Sequence, residues 1–300
     1  MISRQKIKRN LDSCHVSQHF SQRFLEISRG LGNKLFDRMK VSITTSLGLL
    51  LLVISCTVAQ ERQTESGSDL LHRVNIKPRE LWGGHKVAPG DENQYQLQED
   101  IAYLSIHHTQ SRATHVKHSE EELLRFVQEY HQGGKTGKGE PIRFRDIAYH
   151  YLIGHSGNIY KGRDDNRAPA SFTHYLSDSE LEGATYQKGK VRPKKSVSKE
   201  SPGNSVGHLT VSFICGRNSK GVVQDAVLPA DSMAKAAKLV AELLVKHDLK
   251  PSDIRAHREF ANTECPGDEI YKWLRGDSMD RAGEGVGLKL IKMEFAKLSN

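Results

Sequence analysis

The pattern that most constrains the fold is an alternation, from about residue 71 onward, of short apolar segments with segments of helical periodicity. Residues 101–109 (IAYLSIHHT) alternate apolar and polar side chains and are rich in β-formers, which predicts a strand. Residues 119–131 instead repeat apolar side chains at helical spacing. Because strands and helices are mixed irregularly, the sequence predicts an α/β fold with a mixed central β-sheet flanked by helices.

Local signals define the ends of two helices. Ser119 and Glu122 have the spacing of a capping box, which predicts that the first helix begins here. Its apolar stripe is predicted to consist of Leu123, Phe126, Val127 and Tyr130. A second helix is predicted over residues 229–248, with Asp231 or Ser232 as its N-cap.

Four further elements follow from the same kind of pattern. They are a hairpin around the turn HSGN, a buried strand, a short strand and a terminal helix that starts near a proline. In that order they are predicted over residues 147–163, 207–216, 252–256 and 266–274.

The net charge of +8 arises mainly from the N-terminal part of the chain. Residues 1–60 hold nine lysines and arginines against three acidic residues, whereas residues 61–300 hold 35 against 33. A nucleic-acid-binding domain carries a basic face on its folded part. The distribution of charge therefore argues against nucleic acid as a partner.

Residues 39–56 have the features of an export signal. An apolar run from Leu47 to Ile54 follows a basic start and is too short to span a bilayer. Cys56 in VISC resembles the lipidated cysteine of a bacterial lipobox, whereas cleavage after Ala59 is the competing interpretation. We therefore expect an exported protein of the bacterial cell envelope with a lipid anchor, or alternatively a secreted one.

This signal divides the chain into segments. Residues 1–38 form an N-terminal extension of uncertain role, since Met39 is an alternative start. Residues 57–70 are polar and are predicted to be a linker. The folded domain is predicted over residues 71–275, and residues 276–300 are left as a C-terminal tail.

Two other segments have an ordinary and a functional interpretation. Residues 186–204 are basic and carry glycine and proline, which predicts an exposed loop insertion. The alternative is a loop that contacts an anionic polymer near the site. Cys215 lies in an apolar run and is predicted to be a small buried hydrophobic residue rather than half of a disulfide.

Candidate functional side chains lie at the ends of predicted elements, where sites are commonly built. His107 and His108 end a strand, His257 follows one, and Cys265 precedes a helix. Two imidazoles and a thiolate are ligands that zinc accepts, with the fourth position left for water. Since His107 and His257 are 150 positions apart, spacing alone leaves open a metal half-site, a redox cysteine and an ordinary turn.

Four segments between residues 76 and 274 resemble, in the same order, the peptidoglycan recognition protein and type 2 N-acetylmuramoyl-L-alanine amidase superfamily. KPRELWGG (77–84) resembles its Arg-x-x-Trp-Gly segment, and IHHT (106–109) resembles its first metal-ligand strand. DIAYHYLIGHSGNIYKGR (146–163) is similar to its strand, hairpin and Gly-Arg segment. AHREFANTECPG (256–267) matches the second metal segment.

The resemblance implies a zinc ion held by His107, His257 and Cys265, with His108 outside the ligand set. It implies that residues 71–275 form one amidase-like or recognition-protein-like domain.

The resemblance also implies catalytic roles for Tyr149 and Thr263, and it places His174 along the substrate groove. Two features depart from the family pattern. The basic segment 186–204 lies where many relatives are shorter, and the tripeptide His208-Leu209-Thr210 stands where Ser-Ile-Gly is common. Both departures concern the groove, and neither touches the implied ligands.

The implied function is zinc-dependent hydrolysis of the amide bond between N-acetylmuramic acid and L-alanine, with peptidoglycan or muropeptides as partner and a monomeric domain. The alternative is a non-catalytic peptidoglycan-binding module on the same fold, although such relatives typically lack the metal cysteine. The presence of Cys265 beside the two histidines and Tyr149 favours the enzyme. A general basic surface-binding protein is disfavoured by the charge distribution.

Overall fold

A six-stranded sheet organises the chain in the computed structural model, which describes residues 73–89, 95–109, 117–136, 138–171, 175–193, 205–215 and 229–299. The predictions for residues 1–38, 39–56 and 57–70 lie outside the described residues. The predicted groove residue His174 also lies outside them.

The strands and helices have the following bounds. The strands are β1 (Ile76–Lys77), β2 (Tyr103–His108), β3 (Tyr151–Ile153), β4 (Ile159–Lys161), β5 (Thr185–Gln187), β6 (Lys190–Arg192), β7 (His208–Phe213) and β8 (Ile254–Ala256). The helices are α1 (Glu120–Gly133), α2 (Asp178–Leu181), α3 (Ala230–Lys246), α4 (Asp268–Arg275) and α5 (Val286–Ser299). Short 3-10 helices span Arg79–Trp82, Pro251–Asp253 and His257–Glu259.

The sheet has the strand order β1-β4-β3-β7-β2-β8. The β3–β4 hairpin is antiparallel, and the other neighbouring pairs in this sheet are parallel. The predicted α/β class with a mixed central sheet is therefore confirmed, and so is the hairpin around HSGN.

Helices cover both faces of the sheet, as predicted. On one face, Leu104 and Ile106 of β2 and Val211 of β7 pack against α3, α4 and α5. On the other face, Leu152 and Tyr160 pack against α1 and the Arg79–Trp82 turn. Side chains alternate between the faces of a strand. The α1 face therefore carries buried polar residues of β2 and β7, among them Ser105, His107, Thr210 and Ser212.

The first predicted helix is confirmed together with its capping box. The Ser119 hydroxyl accepts from the backbone N–H of Glu122, and the Glu122 carboxylate accepts from the N–H of Ser119. The predicted stripe is wrong in part, since Phe126 and Tyr130 are 40% and 41% exposed. The buried face of α1 is rotated about the helix axis relative to the predicted stripe. It consists of Leu123, Leu124, Val127, Gln128 and His131.

The predicted cap of the second helix is wrong. The helix α3 begins after Pro229, and neither Asp231 nor Ser232 caps it by a side-chain hydrogen bond. The Ser232 hydroxyl instead donates to the carbonyl of His155 at 2.8 Å, which joins the first turn of α3 to the β3–β4 hairpin.

The predicted loop insertion is partly structured. Its first residues belong to the antiparallel β5–β6 hairpin, in which Val191 is fully buried. The guanidinium of Arg281 donates to the Tyr186 hydroxyl at 2.7 Å and so joins this hairpin to the loop before α5. Residues 194–204 lie outside the described residues.

The segment 276–300, for which the sequence indicated only a tail, contains α5. This helix packs against α3, and its Leu288 and Ile291 join the main core. Among the described residues, no helix has both the length and the apolarity needed to cross a bilayer.

A buried ion pair connects the 3-10 helix that follows β8 to α4. The Glu259 carboxylate accepts from Arg275 Nε at 2.7 Å, from Arg275 Nη2 at 2.9 Å and from the Tyr271 hydroxyl at 3.1 Å. Arg275 also donates to the carbonyl of Ile254 at 2.9 Å, and Glu259 accepts from the backbone N–H of Ala256. This pair therefore holds the strand that leads to His257.

We expect Arg275→Met to lower the free energy of unfolding by about 3–5 kcal/mol, because it leaves the Glu259 charge buried without its partner. The control Lys297→Met, which removes the exposed pair with Glu294, should lower it by less than about 1 kcal/mol. Urea unfolding of both variants measures the difference. The double variant Glu259→Gln, Arg275→Met should be more stable than Arg275→Met alone. Equal losses of unfolding free energy in Arg275→Met and Lys297→Met would contradict the assignment of a stabilising buried pair between Glu259 and Arg275.

Candidate metal centre

Two histidines meet because of the sheet register. The strands β2 and β8 are parallel neighbours, and Ile106 pairs with Ala256. The next residues, His107 and His257, therefore emerge side by side at the same edge of the sheet, and their ring centroids lie 4.4 Å apart.

Cys265 completes a cluster with these histidines. One potential ligand atom from each of His107, His257 and Cys265 lies within 4.8 Å of the others, and all three residues are buried. The sulfur of Cys265 lies 3.8 Å from His107 Nδ1. Zinc bond lengths of about 2.0–2.3 Å in tetrahedral geometry separate such ligand atoms by roughly 3.4–3.6 Å. The donor types and their spacing therefore fit a tetrahedral metal site with one open position.

Burial sets the protonation of this cluster. Desolvation lowers the pKa of His257 to about 3, and desolvation with the neighbouring His257 holds the pKa of His107 well below its usual range. Both imidazoles are thus neutral, as ligands must be. Burial raises the pKa of the Cys265 thiol to about 12, so the thiolate form requires a cation beside it.

The loop that carries Cys265 is fixed by hydrogen bonds at several points. The backbone N–H of His108 donates to the Cys265 sulfur at 3.3 Å, which favours a thiolate. The N–H of Arg258 donates to the carbonyl of Cys265 at 2.9 Å. The Arg258 guanidinium donates to the carbonyl of Glu264 and to Asp268 at the start of α4.

Thr263, which the resemblance selects, lies beside the cysteine and is partly exposed. Its hydroxyl accepts from the backbone N–H of Cys265 at 3.2 Å. His108 is not part of the cluster of His107, His257 and Cys265, and its backbone N–H contacts the Cys265 sulfur.

Tyr149 lies next to the cluster. Its ring centroid is 5.6 Å from that of His107, and its hydroxyl donates to the carbonyl of His108 at 3.4 Å. Burial, with the nearby Cys265 as a second cause, raises the pKa of Tyr149, so its hydroxyl is a neutral hydrogen-bond donor. Tyr149 is mostly but not completely covered, which leaves part of its side chain within reach of a bound molecule.

The segment before Tyr149 is held by residues that carried the sequence resemblance. The Arg79 guanidinium forms two bonds to the buried Asp146 carboxylate, at 2.6 and 2.7 Å. The buried Arg163 donates to the carbonyl of Ile147 at 2.9 Å. Arg79 and Arg163 thus act on the site through the backbone that presents Tyr149.

The sequence did not single out Tyr175, which is buried against the cluster. Its hydroxyl lies 3.4 Å from His107 Nε2, and its ring centroid is 5.2 Å from that of His257. Its position after His174 in SFTHY belongs to no motif. The contact depends on the pairing of Leu176 with Phe260, two residues far apart in the chain.

The tripeptide of β7 that departs from the family pattern forms buried hydrogen bonds through His208 and Thr210. The Ser105 hydroxyl lies 2.6 Å from His208 Nδ1. The backbone N–H of Thr210 donates to His150 Nδ1 at 3.0 Å, and the other ring nitrogen of His150 lies 2.7 Å from the carbonyl of Arg167. His150 is therefore neutral, with its proton on Nε2.

Comparison with known proteins gives consistent findings. A family model described as N-acetylmuramoyl-L-alanine amidase matches residues 97–268. Peptidoglycan-recognition protein SC2 of Drosophila simulans is 26% identical over 203 residues, which cover 67% of this chain and 85% of that protein.

Solved structures of recognition proteins also align with the chain. Drosophila peptidoglycan recognition protein SD aligns with a TM-score of 0.43 and 20% identity, covering 66% of this chain and 94% of that one. Peptidoglycan recognition protein LE, solved in complex with tracheal cytotoxin, aligns with a TM-score of 0.42 and 25% identity, covering 66% and 93%.

Acid should destabilise the protein through its buried histidines. Burial lowers the pKa of His131, His150 and His208 to about 3, whereas unfolded histidine titrates near about 6.5. Between these values the unfolded state binds more protons, so stability is full above pH 6.5 and falls as the pH decreases. Each histidine should contribute a slope of up to about 1.4 kcal/mol per pH unit.

Urea unfolding between pH 7 and 4.5 measures this slope. His131→Asn should reduce the slope of stability against pH by up to about 1.4 kcal/mol per pH unit, which corresponds to one proton. This change is expected whatever the variant does to the unfolding free energy at pH 7. Leu124→Ala, a buried change without a titrating group, should lower the stability and leave the slope unchanged. An unchanged slope in His131→Asn would contradict the neutral assignment of His131.

Proposed function

Since the chain belongs to the N-acetylmuramoyl-L-alanine amidase family, we propose that it hydrolyses the amide bond between N-acetylmuramic acid and L-alanine. The substrate is peptidoglycan or its muropeptide fragments. The observation that carries this proposal is the buried cluster of His107, His257 and Cys265 with the Tyr149 hydroxyl beside it.

A zinc ion held by His107, His257 and Cys265 is part of the proposal. The support is chemical, since two neutral imidazoles and one thiolate form a nitrogen and sulfur donor set that leaves one position open. When bound there, zinc supplies Lewis-acid activation of water and of the scissile carbonyl.

The residues around the cluster have separate proposed roles. Hydrolysis joins a water oxygen to the lactyl carbonyl carbon and releases the alanine nitrogen as an amine. The neutral Tyr149 hydroxyl orients the water or donates to the oxygen that gains negative charge. Thr263 supports the site through its hydrogen bond to the N–H of Cys265.

A non-catalytic peptidoglycan-binding module is the second candidate. One observation favours it, because the curated relative with 26% identity is named a recognition protein. The complete donor set with Cys265 supports the enzyme, since a binding module needs no thiolate in a buried His-His cluster.

We further propose that the protein is exported and monomeric, without nucleic acid as a partner. The signal-like segment 39–56 supports export, and lipid attachment at Cys56 within the bacterial cell envelope remains the prediction made from that segment. One chain contributes all three potential ligand atoms, which supports a monomer.

The metal assignment predicts about one zinc per chain in the purified protein. Cys265→Ala should lose most of this zinc, because two histidines alone bind it weakly. The matched control is Cys215→Ala, which removes a second buried thiol among the described residues and should keep the zinc. Atomic absorption of the dialysed proteins measures the metal content. Full zinc in Cys265→Ala would show that this thiol is not a ligand.

The catalytic assignment predicts that Tyr149→Phe lowers kcat about 100-fold or more while zinc stays bound. The control is Tyr130→Phe, the same change on the exposed face of α1, and it should be fully active. Mass spectrometry of peptides released from purified peptidoglycan gives the rates. If the wild-type protein holds zinc and binds peptidoglycan but releases no peptides, the amidase proposal is wrong and the peptidoglycan-binding module takes its place.

A further inference from the structure

Tyr175 is enclosed by the rings around the metal centre. It is 2% exposed, so it does not reach a bound substrate. Its ring centroid lies 4.6 Å from that of Phe260 and 4.9 Å from that of His208, in edge-to-face arrangements. The neighbouring backbone is also fixed, since the N–H of Leu176 donates to the carbonyl of Phe260 at 2.8 Å. The phenol therefore has one well-defined position.

The two ring nitrogens of His107 face different groups. Nδ1 lies 3.8 Å from the Cys265 sulfur, on the side of the ligand cluster. Nε2 lies 3.4 Å from the Tyr175 hydroxyl oxygen, on the opposite side. The rings of His107 and Tyr175 are nearly parallel, with 22° between their planes.

The chemistry of imidazole connects these two contacts. A neutral imidazole carries one N–H donor and one lone pair, so His107 offers Nδ1 to a metal when its proton is on Nε2. An acceptor placed at Nε2 stabilises that tautomer and fixes the ring orientation. The Tyr175 oxygen is the group that lies there.

We propose that Tyr175 is a positioning residue that accepts the Nε2–H of His107 and thereby directs the Nδ1 lone pair into the ligand cluster. The zinc part of this inference rests on the proposed function, whereas the tautomer part concerns the metal-free protein. The packing by Phe260 and His208 keeps the hydroxyl where it can accept this bond.

The first test uses the metal-free protein. Long-range nitrogen–proton NMR spectra of histidine-labelled protein distinguish the two tautomers, and His107→Gln identifies the His107 signals. We expect the Nε2–H tautomer in the wild type and a mixture of tautomers in Tyr175→Phe. Tyr151→Phe is the matched control, because Tyr151 is equally buried and donates to Asp165 at 2.9 Å away from the cluster.

The second test measures the zinc dissociation constant by competition with a chelator. Tyr175→Phe should weaken zinc binding about 10-fold or more, as loss of a partner behind a ligating histidine commonly does. Tyr151→Phe should bind zinc as the wild type does. A role of Tyr175 in packing alone would leave both the tautomer and the affinity unchanged, since phenylalanine preserves the ring.

Two results would overturn the inference. One is a wild-type His107 with its proton on Nδ1, which needs no variant and remains decisive if Tyr175→Phe fails to fold. The other is a folded Tyr175→Phe with unchanged tautomer and unchanged zinc affinity. Neither measurement uses peptidoglycan, so failure of the amidase proposal leaves the result on Tyr175 standing.

Discussion

The parallel pairing of β2 with β8 is the constraint on which the site depends. Because Ile106 pairs with Ala256, the residues that follow, His107 and His257, leave the sheet as neighbours. A shift of one residue in this register would turn one of the two side chains to the opposite face. The buried Glu259–Arg275 pair and the contact of Arg275 with the carbonyl of Ile254 hold β8 in place.

Several polar side chains around the candidate metal centre bind neighbouring segments of the chain and do not point at the cluster itself. Arg79 and Arg163 fix the segment that presents Tyr149, and Arg258 fixes the loop that presents Cys265. Each of these guanidinium groups bonds a carbonyl or a carboxylate that is at least partly shielded from water, and an unsatisfied buried partner would be costly. These three arginines therefore limit how the segments that present Tyr149 and Cys265 can move.

The two polar residues of the β7 tripeptide, His208 and Thr210, share one physical feature, a buried hydrogen bond to a neighbouring segment. His208 and Thr210 lie on the polar face of the sheet, and each has a hydrogen-bond partner on a neighbouring strand or beside one, in Ser105 and His150. These pairs form a hydrogen-bonded polar layer on that face of the sheet. Burial keeps these histidines neutral, so the layer adds donors and acceptors without adding charge.

The sequence alone determined the elements whose signals are local. The capping box at Ser119, the alternation in β2 and the HSGN turn depend on neighbours a few residues away, and all three are confirmed. The ordered motifs also identified the family, which the match over residues 97–268 confirms. The resemblance implied that His107 and His257 share a site, and tertiary structure alone decided which strand pairing brings them together, that Phe126 faces solvent, and that Tyr175 lies behind His107. These facts depend on strand order and packing between segments far apart in the chain, which local periodicity does not encode.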